Sequence, residues 1–150
     1  MSRYTPPSWK VCAYRGARIV DVAAILEKAT LPNHVKALIV FVGLNDRLRP
    51  TEVNHGLVRL KAVMNREQHR FRKMAAMEIP HLATNTHLYD RGTDIINEIM
   101  QDLFDNDRML IPIPPDLRFA PRSPYDVSHV DDDGAKRLLN LAEYTLNTLN

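Results

Sequence analysis

The chain has 150 residues, with 20 Lys and Arg against 18 Asp and Glu, 45% hydrophobic and 25% charged. This is the composition of one globular domain and excludes collagen-like, coiled-coil and disordered chains. One core of two or three layers accommodates 150 residues without a second domain, and the net charge of +2 is too small to demand a polyanionic partner.

A single cysteine, Cys12, leaves no internal disulfide, and its setting Val11-Cys12-Ala13-Tyr14 predicts a buried strand thiol. No apolar stretch approaches the roughly 20 residues of a membrane span. Met1-Ser2-Arg3 leads into Tyr4-Thr5-Pro6-Pro7 without a signal-peptide core. The expectation is an intracellular, cytoplasmic protein, or a fragment cut from a longer chain.

In chain order, residues 10–14 form a short β-favouring run after the Pro6-Pro7 break, and a turn at 15–17 leads into a predicted helix over 18–29. Its apolar residues Ile19, Val22, Ala23, Ile25, Leu26 and Ala29 recur at helical spacing. Residues 35–42 are the most continuous apolar run in the chain, as a strand covered on both faces requires. A loop over 43–50 precedes a long predicted helix running to about Lys73, with Thr51 as its N-cap. A third strand is expected over 74–79, a helix over 94–104 and a fourth strand over 109–113. Pro112, Pro114, Pro115, Pro121 and Pro124 predict an extended loop, and the last helix spans about 132–149. Four alternations of strand and helix predict an α/β domain with a parallel sheet and helices on both faces. Ligands of such sheets gather at the carboxyl ends of the strands.

Three motifs fall in those loops. Gly16 follows the first strand, where a glycine permits positive φ and leaves its N–H open as a donor to an oxyanion; an ordinary turn explains it as well. Gly43-Leu44-Asn45-Asp46 follows the apolar strand; the Asn45 amide can donate to developing negative charge while Asp46 caps or braces the loop. Asp126-Val127-Ser128-His129 precedes the last helix. There His129 can act as a general base with Asp126 fixing its tautomer, and Asp131 to Asp133 complement the helix dipole.

These three, in this order, resemble the later sequence blocks of the SGNH (GDSL-like) hydrolases: a strand-end Gly, a G-x-N-D loop and a D-x-x-H pair. The resemblance extends from about Lys10 to the end of the chain. In detail the strand-turn Gly16-Ala17 followed by Val42-Gly43-Leu44-Asn45-Asp46 is most similar to the esterase-type domains of vertebrate retroelement open reading frames. It implies a three-layer α/β/α fold of flavodoxin-like, SGNH-hydrolase type, spanning residues 1–150 as one domain. It further implies Gly16 and Asn45 as oxyanion donors, His129 as base, Asp126 as its orienting acid, and Gly43 and His87 beside the substrate. The implied chemistry is attack by an activated serine on an ester or acetyl ester, with neither cofactor nor metal.

The family's first block, a strand ending in a Gly-Asp-Ser-like turn, is missing. Ser2 and Ser8 are the only serines ahead of Gly16, and neither follows an apolar strand. Ser123 and Ser128 are out of place for a nucleophile. In the family the missing strand is central, between those expected at 10–14 and 35–42. Its loss leaves backbone groups unpaired unless the two close on each other or another chain fills the gap. Three explanations stay open: a truncated product, a degenerate domain retained for binding, or a partner that supplies strand and serine. The chain by itself is expected to be inactive toward a small ester. Self-association by strand exchange or edge pairing is the expected oligomerisation.

The alternative is a non-catalytic domain that binds nucleic acid or a protein partner. Arg59, Arg66, Arg70 and Lys73 fall on one stripe of the long predicted helix and could track phosphates; a solvated outer face explains the same pattern. His81, His87 and Asp90, with His69 or His129, could supply metal ligands, but their spacing matches no ligand motif, and no metal site is assigned.

Overall fold

The computed structural model describes residues 10, 12, 14, 16–31, 36–71, 73–83, 87–114, 116–123 and 126–148, with the backbone alone at 87, 123 and 126–129. Among the described residues there are four α-helices: α1 (Ile19–Lys28), α2 (Val53–Glu67), α3 (His87–Met100) and α4 (Asp132–Thr148). The strands are β1 (Ala37–Phe41), β2 (Lys73–Met77), β3 (His81–Leu82), β4 (Leu110–Ile111), β5 (Arg118–Phe119), β6 (Pro121–Ser123) and β7 (Asp126–Val130). A π-helical turn, Gln101–Asp105, extends α3.

The main sheet has the order β1-β2-β4 and is parallel, with Ala37 opposite Lys73 and Ala76 opposite Leu110. Period-2 alternation sends its side chains into two cores. Val40, Met74, Ala76 and Leu110 join Ile19, Leu57, Leu60, Ile96 and Phe104 from α1 to α3 and the π turn. Ala75, Met77 and Ile111 join Leu138, Ala142 and Leu146 of α4 on the opposite face. The domain is therefore α/β, with helices on both faces of a short parallel sheet. Among the described residues no helix is long and apolar enough to cross a membrane.

Helix faces follow the periodicity of the sequence: α2 buries Val53, Leu57, Leu60 and Met64, and α4 buries Ala135, Leu138, Leu139, Ala142 and Leu146. Asp131 caps α4, its carboxylate accepting the Gly134 N–H at 2.8 Å.

Several expectations need correction. Lys10, Cys12 and Tyr14 carry no regular structure and all three are exposed, so Cys12 is not a buried strand thiol; Val11 and Ala13 lie outside the described residues. A short apolar run becomes a strand only where a neighbour completes its ladder, and among the described residues β1 pairs with β2 alone. The most buried strand is consequently the central β2, whereas β1 is mostly half-buried. The long helix ends at Glu67 and passes through a 3-10 turn, Gln68–Arg70, so Lys73 opens β2 instead of continuing a helical stripe. Thr51 is not the cap of α2: it lies in the 3-10 turn Pro50–Glu52, and Glu52 occupies the cap position without a side-chain bond. α3 begins at His87, ahead of the expected 94. The proline-rich segment is not one extended loop; it contributes β5, which pairs with β3, and the antiparallel β6-β7 hairpin.

Candidate functional site

The turn after β1 is built around Gly43, at φ +132°, a region that L side chains rarely adopt. A Cβ there would also lie 3.0 Å from Ile79 Cγ2. Gly43 therefore serves the packing of the 3-10 turn Leu44–Asp46 against the core.

That turn is tied to the segment before α1 by two bonds. Asn45 Nδ2 donates to Ala17 O at 2.9 Å, and the Asp46 carboxylate accepts the Ile19 N–H at 3.0 Å. The Arg18 N–H is taken by Asp21 at 2.9 Å, so two of the leading N–H groups of α1 end on carboxylates at the positive end of its dipole. Gly16, at φ +72° and exposed, lies one residue ahead of the Ala17 carbonyl that Asn45 engages. The two expected oxyanion donors are thus held in one local arrangement. An amide nitrogen carries two hydrogens, so the bond to Ala17 leaves Asn45 a second one to donate.

β7 packs beside the Leu44–Asp46 turn, bringing the backbone of the D-x-x-H segment to the same corner. Asp126 and His129 stand on this strand, paired with β6, and not on the loop expected before the last helix. Their side chains lie outside the described residues, as does that of His87, whose backbone opens α3. A cleft of about 200 Å³ adjoins Asn45 and Asp46, lined also by Arg18, Arg49, Glu52 and His55.

Burial pushes the Asp46 carboxyl above its ordinary range; the Ile19 N–H and nearby Arg18 oppose this, and Asp21 adds to it. For an acid whose folded pKa is raised, the contribution to stability is full below the ordinary aspartate range and is lost as pH rises through the raised value. Asp46→Asn keeps the acceptor for Ile19. We expect its unfolding midpoint to gain on the parent as pH rises from acid to neutral, within about 1 kcal/mol throughout. Asp46→Ala removes the acceptor as well and is expected to cost about 1 kcal/mol at acid pH and less as pH rises through the raised value. Thermal unfolding of the three proteins across that pH range checks both.

Three of the four residues of the expected basic stripe, Arg59, Arg66 and Arg70, face partners of this chain. Arg59 pairs with Glu27 of α1. Arg66 and Arg70 flank Glu67, each at 3.1 Å, and Arg70 also donates to Leu31 O at 2.6 Å. Burial of Glu67 pushes its pKa up, but the combined bonds and charges of Arg70 and Arg66 outweigh it and hold the carboxyl below the usual range. Glu67 accordingly stabilises the fold above the ordinary glutamate range, and this contribution fades as pH falls through the lowered value.

Of the histidine cluster, His81 Nε2 lies 2.7 Å from Asp94 Oδ1, and Asp90 is bound by Arg118 at 3.0 Å. Among the described residues no three His, Cys, Asp or Glu are grouped to hold a metal. Three buried polar residues were not among the candidates the sequence offered. Asn97 bonds both the N–H and the C=O of Ile79, each at 2.9 Å. Glu78 accepts the Ile113 N–H and the Gln101 amide, each at 2.7 Å. Arg47 is 1% exposed. Only a hydrophilic residue inside an otherwise apolar stretch could have marked them, and Glu78, between Met77 and Ile79, is the one case that fits.

No family model matches the chain, and no curated protein matches it.

Proposed function

We propose that the chain is an SGNH-hydrolase-like esterase domain, of the carboxylic ester hydrolase class, which holds the oxyanion and His-Asp parts of the site but not the nucleophile. The observation that carries this reading is the junction of its three motifs. The Asn45 amide reaches the Gly16-Ala17 turn, and β7, with Asp126 and His129, runs beside the Asn45 turn. In this reading the Gly16 N–H and the Asn45 amide stabilise the oxyanion formed when a serine adds to an ester carbonyl. His129 takes the serine proton and returns it to the leaving alcohol, Asp126 orients the imidazole, and water then cleaves the acyl-enzyme. The reaction runs where a longer chain or a partner supplies the serine.

Two measurements test this. p-Nitrophenyl acetate hydrolysis is expected to be the same for the chain and its His129→Ala variant, and no faster than free imidazole. Turnover lost in the variant would place a working nucleophile within this chain and overturn its inactivity. The His129-Asp126 pair is expected to show a strongly downfield exchangeable imidazole proton by NMR that disappears in Asp126→Asn; its absence from the parent would sink the hydrolase reading.

A further inference from the structure

Arg47 follows the Leu44–Asp46 turn, at the carboxyl end of the parallel sheet where ligands of α/β domains collect. Its side chain is 1% exposed. Nε donates to Leu44 O at 3.0 Å, and the guanidinium lies over the ring of Tyr89, 4.7 Å from its centroid. Nη1 and Nη2 are buried and have no hydrogen-bond partner among the described residues. Tyr89 belongs to the first turn of α3, a helix of 14 residues. The leading N–H groups of that turn have no acceptor within the helix and form the positive end of its dipole. Asp90, in the same turn, is engaged by Arg118. Arg47 is also fixed from behind: α3 packs so closely that a Cβ on Gly92 would lie 1.9 Å from Arg47 O.

A buried cation is normally paired, because desolvation disfavours its charge. The same desolvation lowers the Arg47 pKa, with Tyr89 and Asp90 opposing the shift. With Nε occupied, the edge of the guanidinium that remains is the Nη1/Nη2 fork, the geometry that takes two oxygens of one oxyanion.

We infer that Arg47 and the first turn of α3 form a binding site for a small oxyanion, a carboxylate or a phosphate, held by the Nη1/Nη2 fork of Arg47 on the Tyr89 face. The site does not depend on the hydrolase chemistry, since it uses neither Gly16, Asn45 nor β7.

The test compares the full chain with Arg47→Met and Arg47→Lys in phosphate, acetate and chloride at equal ionic strength. Phosphate or acetate at ten times Kd is expected to raise the unfolding midpoint of the parent by about 4 °C over chloride. Arg47→Met, which removes the unpaired charge at similar volume, is expected to be at least as stable as the parent in chloride and to show no anion response. Arg47→Lys keeps charge but loses the fork, and its affinity is expected to fall at least about tenfold. A response to acetate alone assigns a carboxylate, and a response to phosphate alone assigns a phosphate. No response to either, or the same response in Arg47→Met, overturns the site. Should Arg47→Met fail to fold, equal anion affinity of Arg47→Lys and the parent overturns it.

Discussion

Gly92→Ala is expected to lower the unfolding midpoint by about 9 °C, equivalent to about 3 kcal/mol for a domain of this size. Helix propensity points the other way, since alanine within a helix is favoured over glycine by about 1 kcal/mol. Sterics decide the sign. The new methyl would lie 1.9 Å from Arg47 O and 2.7 Å from its carbonyl carbon. Both are backbone atoms, so no rotamer change relieves the overlap and α3 must move away from the turn after β1. Gly134 supplies the control: a Cβ there would meet Phe119 Cδ1 at 3.1 Å, Asp131 Oδ1 at 3.2 Å and Val130 Cβ at 3.2 Å, distances that ask for far smaller shifts than the 1.9 Å overlap at Gly92. Gly134→Ala is expected to change stability by no more than about 1 kcal/mol. Chemical denaturation of both variants checks the pair; equal effects would refute the backbone argument.

Asn97→Leu is expected to cost about 3 kcal/mol. Ile79 lies just past the end of β2 and is fully buried, and its N–H and C=O are both paired with the Asn97 side chain. Leucine matches the volume but leaves two backbone groups in the core without partners, and the desolvation of each has to be borne unrewarded. Asn97→Asp separates the two bonds. The ionised carboxylate still accepts from the Ile79 N–H but cannot donate to its carbonyl, whereas the protonated acid does both. Burial raises the pKa of such a group, so the variant should regain stability as pH falls and lose it as pH rises through that value. Denaturant midpoints across the acid range check this, and a pH-independent deficit would contradict it.

Asn97 lies within the helix expected over 94–104 and Gly92 ahead of it, and neither role was legible in the sequence. Gly92 and Asn97 sit on α3 at positions where local propensity would place other residues, and what occupies the space opposite them is set by chain segments far away in sequence. The candidate site shows the same division. Gly16, Asn45, Asp126 and His129 were singled out by residue type and order, but the bond that joins Asn45 to Ala17 spans 28 positions and has no local signature. Of the basic stripe expected on one long helix, Arg59 and Arg66 stand on α2 while Arg70 and Lys73 lie beyond its end, and Glu27 and Glu67 engage three of the four.

The sequence by itself determined the α/β class, the helices and their buried faces, because a period of 3.6 or 2 in apolar residues depends only on neighbours along the chain. Tertiary structure alone decided the pairing. β2 is central because β1 and β4 flank it, whereas Lys10, Cys12 and Tyr14 have no ladder, since a strand exists only where another strand completes its hydrogen bonds. It also decided that Arg47 would be buried with its fork unpaired, because desolvation follows from what packs around a charge and not from the residues beside it in the chain.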